Sequence, residues 1–588
     1  MTSIENIKNK TVTMELMYFF SISISIIVSL IDTILGIGKF EYYDTAIMLA
    51  SFLSLGKYIE NNAKVKTNSL LNSLKKLFPD EILLKKEKEF VKTKINHIQI
   101  GDVIKVNPGD IIPVDGFVID GISFVDEASI NGEPIPIKKE SNDLVFAGSH
   151  NTNGTLEIKV ERISNQTILG KIIEILETSQ IGKTKYHKIV DKISIYFFPA
   201  IILIGIMIFV LNLVLGNSFQ YSIEKLITIY VIACPCALAL ATPTAVATGM
   251  GVAAKNGIVI KNIDVIEKYS NVDTLIFDKT GTLTLGKPTV KNLYVFENDH
   301  NTILNISYNI AIHSNHPLLD AIKKQAEKYS AIKSLDVTEF EEIKGKGIKA
   351  KINDKQYYLG SYNFANEKLN LEDNIIDLYL NITKEGSSPI ILFDESKVLG
   401  IFDIRDEINL TAKDVIAFFK NSGIKIILLS GDNKYNVERV SNLLGIKDYF
   451  FEALPERKYE IIKSYNKNNN VAYVGDGIND ALALTEAAVG IALGNGSDIA
   501  KNAGDIIILK SDLKSLIYLH NIIKRILKQI KINIYWAISY NLFFIPLAAG
   551  IIKTINITPL IGALLMIFSS LSVILLSLTI KNFKLRES

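Results

Sequence analysis

The sequence predicts a multi-pass α-helical membrane protein with two large cytosolic segments between its spans, one β-rich and one doubly wound α/β with a further domain inserted. Three observations carry this. Charge-free runs extend from Ile193 to Leu215, Leu226 to Ala254, Ile532 to Ile552 and Thr554 to Ile580, each close to or above the ~20 residues that cross a bilayer. The segment 61–192 alternates apolar and polar residues between turn signals, and 255–531 alternates short apolar runs with helical stretches. A chain of 588 residues that is 48% hydrophobic, with a mean hydropathy of +0.24, is too apolar for a purely soluble enzyme.

Two weaker spans are expected upstream, about Leu16 to Leu35 with Asp32 inside, and about Tyr43 to Tyr58 with Asp44 and Lys57. The count is then six. Lys553 alone separates the last two runs, which read as a hairpin. Basic residues gather at Lys64 and Lys66, Lys183 to Lys188, Lys255 and Lys261, Lys524 to Lys531, and Lys581 to Arg586. With six alternating spans these flanks fall on one side, so both termini and both large segments are expected in the cytosol, with the plasma membrane as the site. No small-residue cleavage site follows the first apolar run. The formal net charge of +2 gives no reason to expect nucleic acid.

Between the second and third spans, Gly101-Asp102, Pro108-Gly109-Asp110, Pro113 to Gly116 and Asn131-Gly132 punctuate short strands. In the later segment, Ile424 to Leu429 precedes a helical Val437 to Leu444, and Val471 to Val474 precedes Ala481 to Ala487, the rhythm of a parallel sheet. The expected division is 1–60 for two membrane helices, 61–191 for the β-rich domain and 192–254 for the third and fourth spans. The α/β domain takes 255–289 and 393–530, the insertion 290–392, and the last two spans 531–581.

The apolar run Thr274 to Phe277 reads as a buried strand ending in Asp278-Lys279-Thr280-Gly281-Thr282-Leu283-Thr284. Open α/β sheets bind ligands at that edge, so Asp278 stands where a nucleophile would. Lys279 can neutralise phosphate charge, and Gly281 permits a tight turn against an anion. A carboxylate nucleophile divides phosphoanhydride hydrolysis into two steps through an aspartyl phosphate. Ser430-Gly431-Asp432 follows another strand, offering a hydroxyl and backbone N–H groups to phosphate oxygens. Lys458 is a candidate cation, and Asp476 and Asp480 are hard oxygen ligands suited to Mg²⁺.

From about Met14 onward the chain resembles the P-type ATPases. The resemblance implies a β-rich actuator domain and a haloacid-dehalogenase-like phosphorylation domain with an inserted nucleotide-binding domain. It implies Asp278 as nucleophile, Mg²⁺ held by Asp278, the Thr280 carbonyl and Asp476, and phosphate contacts from Ser430 and Lys458. Ser314-Asn315-His316-Pro317 and Gly345-Lys346-Gly347 resemble the ATP motifs of the heavy-metal branch, with His316, Gly345 and Gly347 on the nucleotide. Asp126 to Pro134 resembles the actuator loop, where Glu133 would position the water that attacks the aspartyl phosphate. Ala128, Asn131, Ala311, Asn409 and Leu482 depart from the family pattern.

Cys234 and Cys236, the two cysteines of the chain, flank Pro235 within a span. Two thiolates two residues apart diverge on an unbroken helix, but Pro235 and Pro243 each remove a helical N–H, and local unwinding brings sulfurs to one soft-metal site. Cys-Pro-Cys is the transport motif of the heavy-metal branch. Tyr540, Asn541, Met566 and Ser570 resemble the site residues of its copper(I) members, whereas a zinc pump is expected to carry Lys and Asp in these two charge-free runs. Met14, Asp44 and Glu60 match positions on the entry and exit route. The resemblance implies ATP as substrate, Cu(I) as cargo, lipid around the spans and a copper chaperone as a partner. Its alternatives are an Ag(I) or other soft-cation pump and a membrane-anchored aspartyl-phosphate phosphatase. The two further helices and soluble metal-binding domain usual in the family are not found before the first span.

Overall fold

In a computed structural model the chain divides into two compact units, 1–270 with 518–588, and 271–517. The structure describes residues 14–583 apart from 36–42, 45, 52–53, 55–57, 59–77, 80, 87–88, 128–135, 168, 172, 175–184, 234–235, 297–298, 315, 329–332, 344–345, 477–479, 495–502, 511 and 553.

The first unit holds the apolar helices. Met14–Leu35, Lys185–Val214, Phe219–Ile232, Cys236–Lys255, Lys514–Ala548 from Tyr518 on, and Pro559–Leu578 belong to it. Three described stretches are long and apolar enough to cross a membrane: Ile195–Val214, Phe219–Lys255 and Pro559–Asn582. Of the other expected spans, the first contributes the shorter apolar helix Ser21–Ile34, and the second is described only in part. The run from Ile532 lies in the Lys514–Ala548 helix, whose earlier turns carry Lys524, Arg525, Lys528 and Lys531. Along Lys185–Val214, Leu203, Met207, Val210 and Val214 are exposed on neighbouring turns, the surface that lipid would cover.

The expected fourth span, Leu226 to Ala254, starts earlier, at Phe219; its described parts are Phe219–Ile232 and Cys236–Lys255. The earlier start includes Lys225, which is fully buried, donating to Asn556 Oδ1 at 2.5 Å and the Ile557 carbonyl at 3.1 Å. A charge whose hydrogen bonds are supplied by the protein is tolerated inside, so counting only charge-free residues shortened this helix. Polar pairs tie the second half to the last two helices. Asn533 Nδ2 donates to the Ala241 carbonyl at 2.9 Å and Ser577 Oγ at 2.8 Å, and Thr244 and Ser577 share a hydrogen bond of 3.0 Å. Such bonds join helices where lipid offers no hydrophobic drive.

The same unit contains the β-rich domain. Its antiparallel sheet runs in the order Glu89–Lys94, Glu81–Lys86, Val103–Val106, Leu156–Arg162, Asp115–Asp120, Leu144–Val145. Alternation puts Ile104, Val118, Leu156 and Ile158 in its core at no exposure. A smaller sheet pairs Ser123–Asp126 with Ile137–Lys139 and His150–Asn151.

In the second unit the strands Ile506–Ile508, Val489–Leu493, Val471–Gly475, Thr274–Asp278, Lys425–Leu429 and Asp448–Phe450 lie side by side in that order, all parallel. Helices Lys434–Leu444, Pro455–Asn466 and Ala481–Glu486 follow successive strands, as the apolar rhythm predicted. Phe277, Ile276, Leu429, Val474 and Ile491 are fully buried, each stabilising the domain by about 1.5–3 kcal/mol. The inserted domain is a second, antiparallel sheet in the order Thr289–Val295, Val398–Arg405, Ser388–Asp394, Lys355–Gly360, Gly347–Ile352, Val337–Ile343. Its second strand lies past the expected boundary at 392, pairing with both Thr289–Val295 and Ser388–Asp394.

Candidate active site

Asp278 ends the central strand of the parallel sheet, between Lys425–Leu429 and Val471–Gly475. The turn after it requires Gly281, which sits at φ 71°, and a Cβ there would lie 1.9 Å from Asp476 Oδ2. Only glycine lets the Asp476 carboxylate approach this close.

Lys458 reaches the site from the first turns of Pro455–Asn466. Its Nζ donates to Asp278 Oδ1 at 2.5 Å and to Asp480 Oδ1 at 2.8 Å. Tyr473 OH donates to the same Asp480 oxygen at 2.7 Å. One oxygen each of Asp278, Asp476 and Asp480 lie within 4.8 Å of one another. Hard oxygens at this spacing fit a small divalent cation such as Mg²⁺. Burial and the Asp480 charge push the Asp278 carboxyl up to about 7, against the pull of Lys458. Burial and Asp480 likewise push Asp476 up to about 6. Burial disfavours the Lys458 ammonium, but Asp278 and Asp480 outweigh it and hold its pKa above the usual lysine value.

The remaining phosphate-site residues gather nearby. Lys279 is buried and ion-paired with Asp432. Ser430 Oγ, 2% exposed, accepts from the Asp432 backbone N–H at 3.2 Å, and Gly431 lies between them on the surface. His316 caps Pro317–Glu327, its Nδ1 accepting from the Leu318 N–H at 3.3 Å, with the imidazole exposed. Gly347 opens the strand Gly347–Ile352. Gly345 and Glu133 lie outside the described residues. At the base of the loop that carries Glu133, Glu127 is buried and ion-paired with Lys139 at 2.8 Å.

In the membrane unit, Cys236 and Met566 are buried in one apolar cluster with Ile229, Ile232 and Ala563. Tyr540 and Ser570 are buried at 8% exposure and Asn541 is half-buried. Among the described residues the Tyr540 hydroxyl and Asn541 Oδ1 are buried without a hydrogen-bond partner. Cys234, Glu60 and the Met14 side chain lie outside the described residues, and Asp44 is exposed.

Sequence reasoning missed Tyr473 and Asp406. Tyr473 lies inside the apolar run Val471 to Val474, yet a phenol in a buried strand needs a partner for its hydroxyl, and that need is the signal in the sequence. Asp406 accepts from Thr284 Oγ1 at 2.5 Å, and burial raises its pKa against that hydrogen bond. No local pattern marks it.

Residues 76–177 match the P-type ATPase actuator domain, and 272–488 and 459–518 match haloacid dehalogenase-like hydrolase models. A probable copper-exporting P-type ATPase of Archaeoglobus fulgidus is 33% identical over 584 residues, 98% of this chain and 72% of that protein. A copper-exporting P-type ATPase of Staphylococcus epidermidis is 35% identical over 549 residues, covering 92% of this chain and 68% of its own. The crystal structure of a zinc-transporting PIB-type ATPase in an E2.Pi state superposes with a TM-score of 0.63 at 25% identity, covering 98% of this chain and 92% of that one. A carboxylate, lysine and acidic cluster at one sheet edge, together with relatives above 30% identity along nearly the whole chain, lead to one conclusion: this chain belongs to the heavy-metal P-type ATPases.

Proposed function

We propose that the chain is an ATP-driven Cu(I) pump working through an aspartyl phosphate on Asp278. The observation that carries the chemistry is the Lys458 ammonium bridging Asp278 and Asp480 at the sheet edge. One Asp278 oxygen attacks the γ-phosphorus of ATP, the bond to the β,γ-bridging oxygen breaks, and ADP leaves with that electron pair. Water then cleaves the aspartyl phosphate to phosphate and regenerates the carboxylate. Lys458 favours the ionised form of the nucleophile, orients it and offsets charge on the transferring group. Tyr473 and Asp480 hold Lys458. Ser430, with the Gly431 and Asp432 N–H groups, receives phosphate oxygens, and Lys279 and Thr280 border them. His316, Gly345 and Gly347 bind the nucleotide, and Glu133 positions the attacking water. Asp278, the Thr280 carbonyl, Asp476 and Asp480 are the residues for Mg²⁺, which supplies charge neutralisation on the phosphates when bound.

For the cargo we assign Cys234 and Cys236 with Met566, and Tyr540, Asn541 and Ser570 beside them. Thiolate and thioether donors select soft ions, and the copper named for the relatives agrees with that chemistry. Ag(I) shares it. The zinc named for the structural neighbour is less suited, since the runs from Ile532 and Thr554 add no carboxylate to offset a second positive charge. The proposed setting is the plasma membrane with both termini cytosolic, and a copper chaperone as donor. The domain division read from the sequence stands as part of this proposal, with the inserted domain extended to Arg405.

The test is metal-dependent ATP hydrolysis and uptake by sealed vesicles containing the full chain. Cu(I)-stimulated hydrolysis with ATP-dependent copper accumulation is expected. Metal-independent hydrolysis without accumulation would favour the anchored phosphatase.

A further inference from the structure

A cavity of about 270 Å³ opens in the second unit between Lys279 and Thr280, the residues that follow Asp278, and Leu318, two residues past His316. It runs from the chain neighbours of the proposed phosphoryl acceptor to a chain neighbour of the proposed nucleotide contact. A bound ATP must bridge the same two places with its phosphate chain.

Its lining also includes Arg405 and Arg439, neither of which the motifs single out. Arg405 is already compensated, donating to Glu385 Oε2 at 2.6 Å and Ser387 Oγ at 2.6 Å and lying 3.5 Å from Asp403 Oδ1. Lys279 is compensated by Asp432. Arg439 is not. Its Nη2 donates to the Asp406 backbone carbonyl at 3.2 Å, and among the described residues its Nε is buried without a partner and no carboxylate lies within ion-pair distance of it. Burial and then the Arg405 charge work against its ionised form, while the Asp406 and Asp403 charges favour it more weakly, without forming an ion pair. The side chain is nevertheless built into place. Gly386, at φ 75°, lies against its stem, and a Cβ there would stand 2.7 Å from Arg439 Cδ. Asn436, one helical turn earlier, is buried and donates to Ser388 Oγ at 3.2 Å, which fixes this helix to the cavity wall.

A guanidinium with an unused buried donor, facing a cavity of this placement, calls for an anion with several oxygens. We propose that Arg439 binds the phosphates that remain with the nucleoside when the γ-phosphate passes to Asp278. This rests on the reading of Asp278 as the phosphoryl acceptor. Breaking the β,γ bond leaves the electron pair on the β-phosphate oxygen, so a cation there binds ADP and offsets the charge that grows in the transition state.

The experiment compares affinities of the purified full chain for AMP, ADP and a non-hydrolysable ATP analogue by titration calorimetry, in wild type, Arg439→Gln and Arg439→Lys. A charge-assisted bond predicts a loss of about tenfold or more for ADP and the analogue in Arg439→Gln, with AMP affinity within about twofold of wild type. Arg439→Lys, which keeps the charge and loses the fork, should fall between. If Arg439→Gln does not fold, the ADP to AMP ratio in Arg439→Lys decides. Unchanged ADP affinity, or equal loss for AMP and ADP, overturns the assignment. These affinities do not depend on phosphoenzyme formation. A wild-type chain that binds nucleotides in this pattern but forms no phosphoenzyme would therefore sink the pump reading and leave this site standing.

Discussion

Tyr473 and Lys458 meet on a single oxygen of Asp480, the phenol at 2.7 Å and the ammonium at 2.8 Å. Burial, then the Asp278 and Asp480 charges, push the Tyr473 phenol far above its usual pKa, so it stays a donor throughout the working range. Its hydroxyl therefore fixes Asp480, and Asp480 fixes the lysine that contacts the nucleophile. Tyr473→Phe should slow phosphoenzyme formation from ATP about tenfold, the value of about one hydrogen bond to a charged group, while leaving ADP affinity unchanged. Rapid-quench labelling with radioactive ATP would reveal this, and a wild-type rate would reduce Tyr473 to packing.

Asp278→Asn should remove the acid-stable phosphoenzyme altogether, because an amide does not form the acyl phosphate. Nucleotide binding should persist. Labelling of that variant at wild-type level would mean that another residue accepts the phosphoryl group.

Glu133→Ala should still be phosphorylated but release phosphate slowly, so that phosphoenzyme accumulates after ATP is added. The measurement is decay of labelled protein in a chase with unlabelled ATP. Decay at the wild-type rate would return this loop to a plain connection.

Replacing Cys234 and Cys236 together with Ser should abolish stimulation by Cu(I) and Ag(I), with nucleotide affinity retained as a sign of intact soluble domains. Met566→Leu should weaken the stimulation less, since one thioether is lost and both thiolates remain. Zn(II) should not stimulate the wild type. Cu(I)-dependent turnover in the double variant would show that the cargo site lies elsewhere.

His520, buried beside Tyr269 at 6.0 Å between ring centroids, has its pKa lowered to about 4, first by burial and then by Lys524. The unfolded chain takes up this proton near pH 6.5 and the folded chain only near 4. Stability from this group is thus complete above pH 6.5 and falls as pH drops towards 4, by at most about 1.4 kcal/mol per unit. Thermal unfolding of detergent-solubilised protein at pH 7.5 and 5 should show a smaller drop for His520→Gln than for wild type. Equal drops would assign the acid sensitivity to other groups.

Much of this protein is written locally. Period-two alternation placed the actuator strands, the βα rhythm placed the parallel sheet, and the string from Asp278 to Thr284 placed a carboxylate at a strand end, because each depends on neighbours along the chain. Other features depend on residues far apart in sequence. Lys225 reads as the end of an apolar run until Asn556 and the Ile557 carbonyl meet it. Val398–Arg405 reads as outside the insertion until its ladders with Thr289–Val295 and Ser388–Asp394 are seen. Tyr473 is one apolar letter among several until its hydroxyl finds Asp480, and Arg439 is an ordinary helical cation until Gly386 seats its stem beside the cavity. Local sequence determined which chemistry the chain carries, because backbone propensity and motif spacing act within a few residues. Tertiary structure alone decided which charges are compensated and which are left facing a ligand, because burial and hydrogen-bond partners come from strands and helices that only folding brings together.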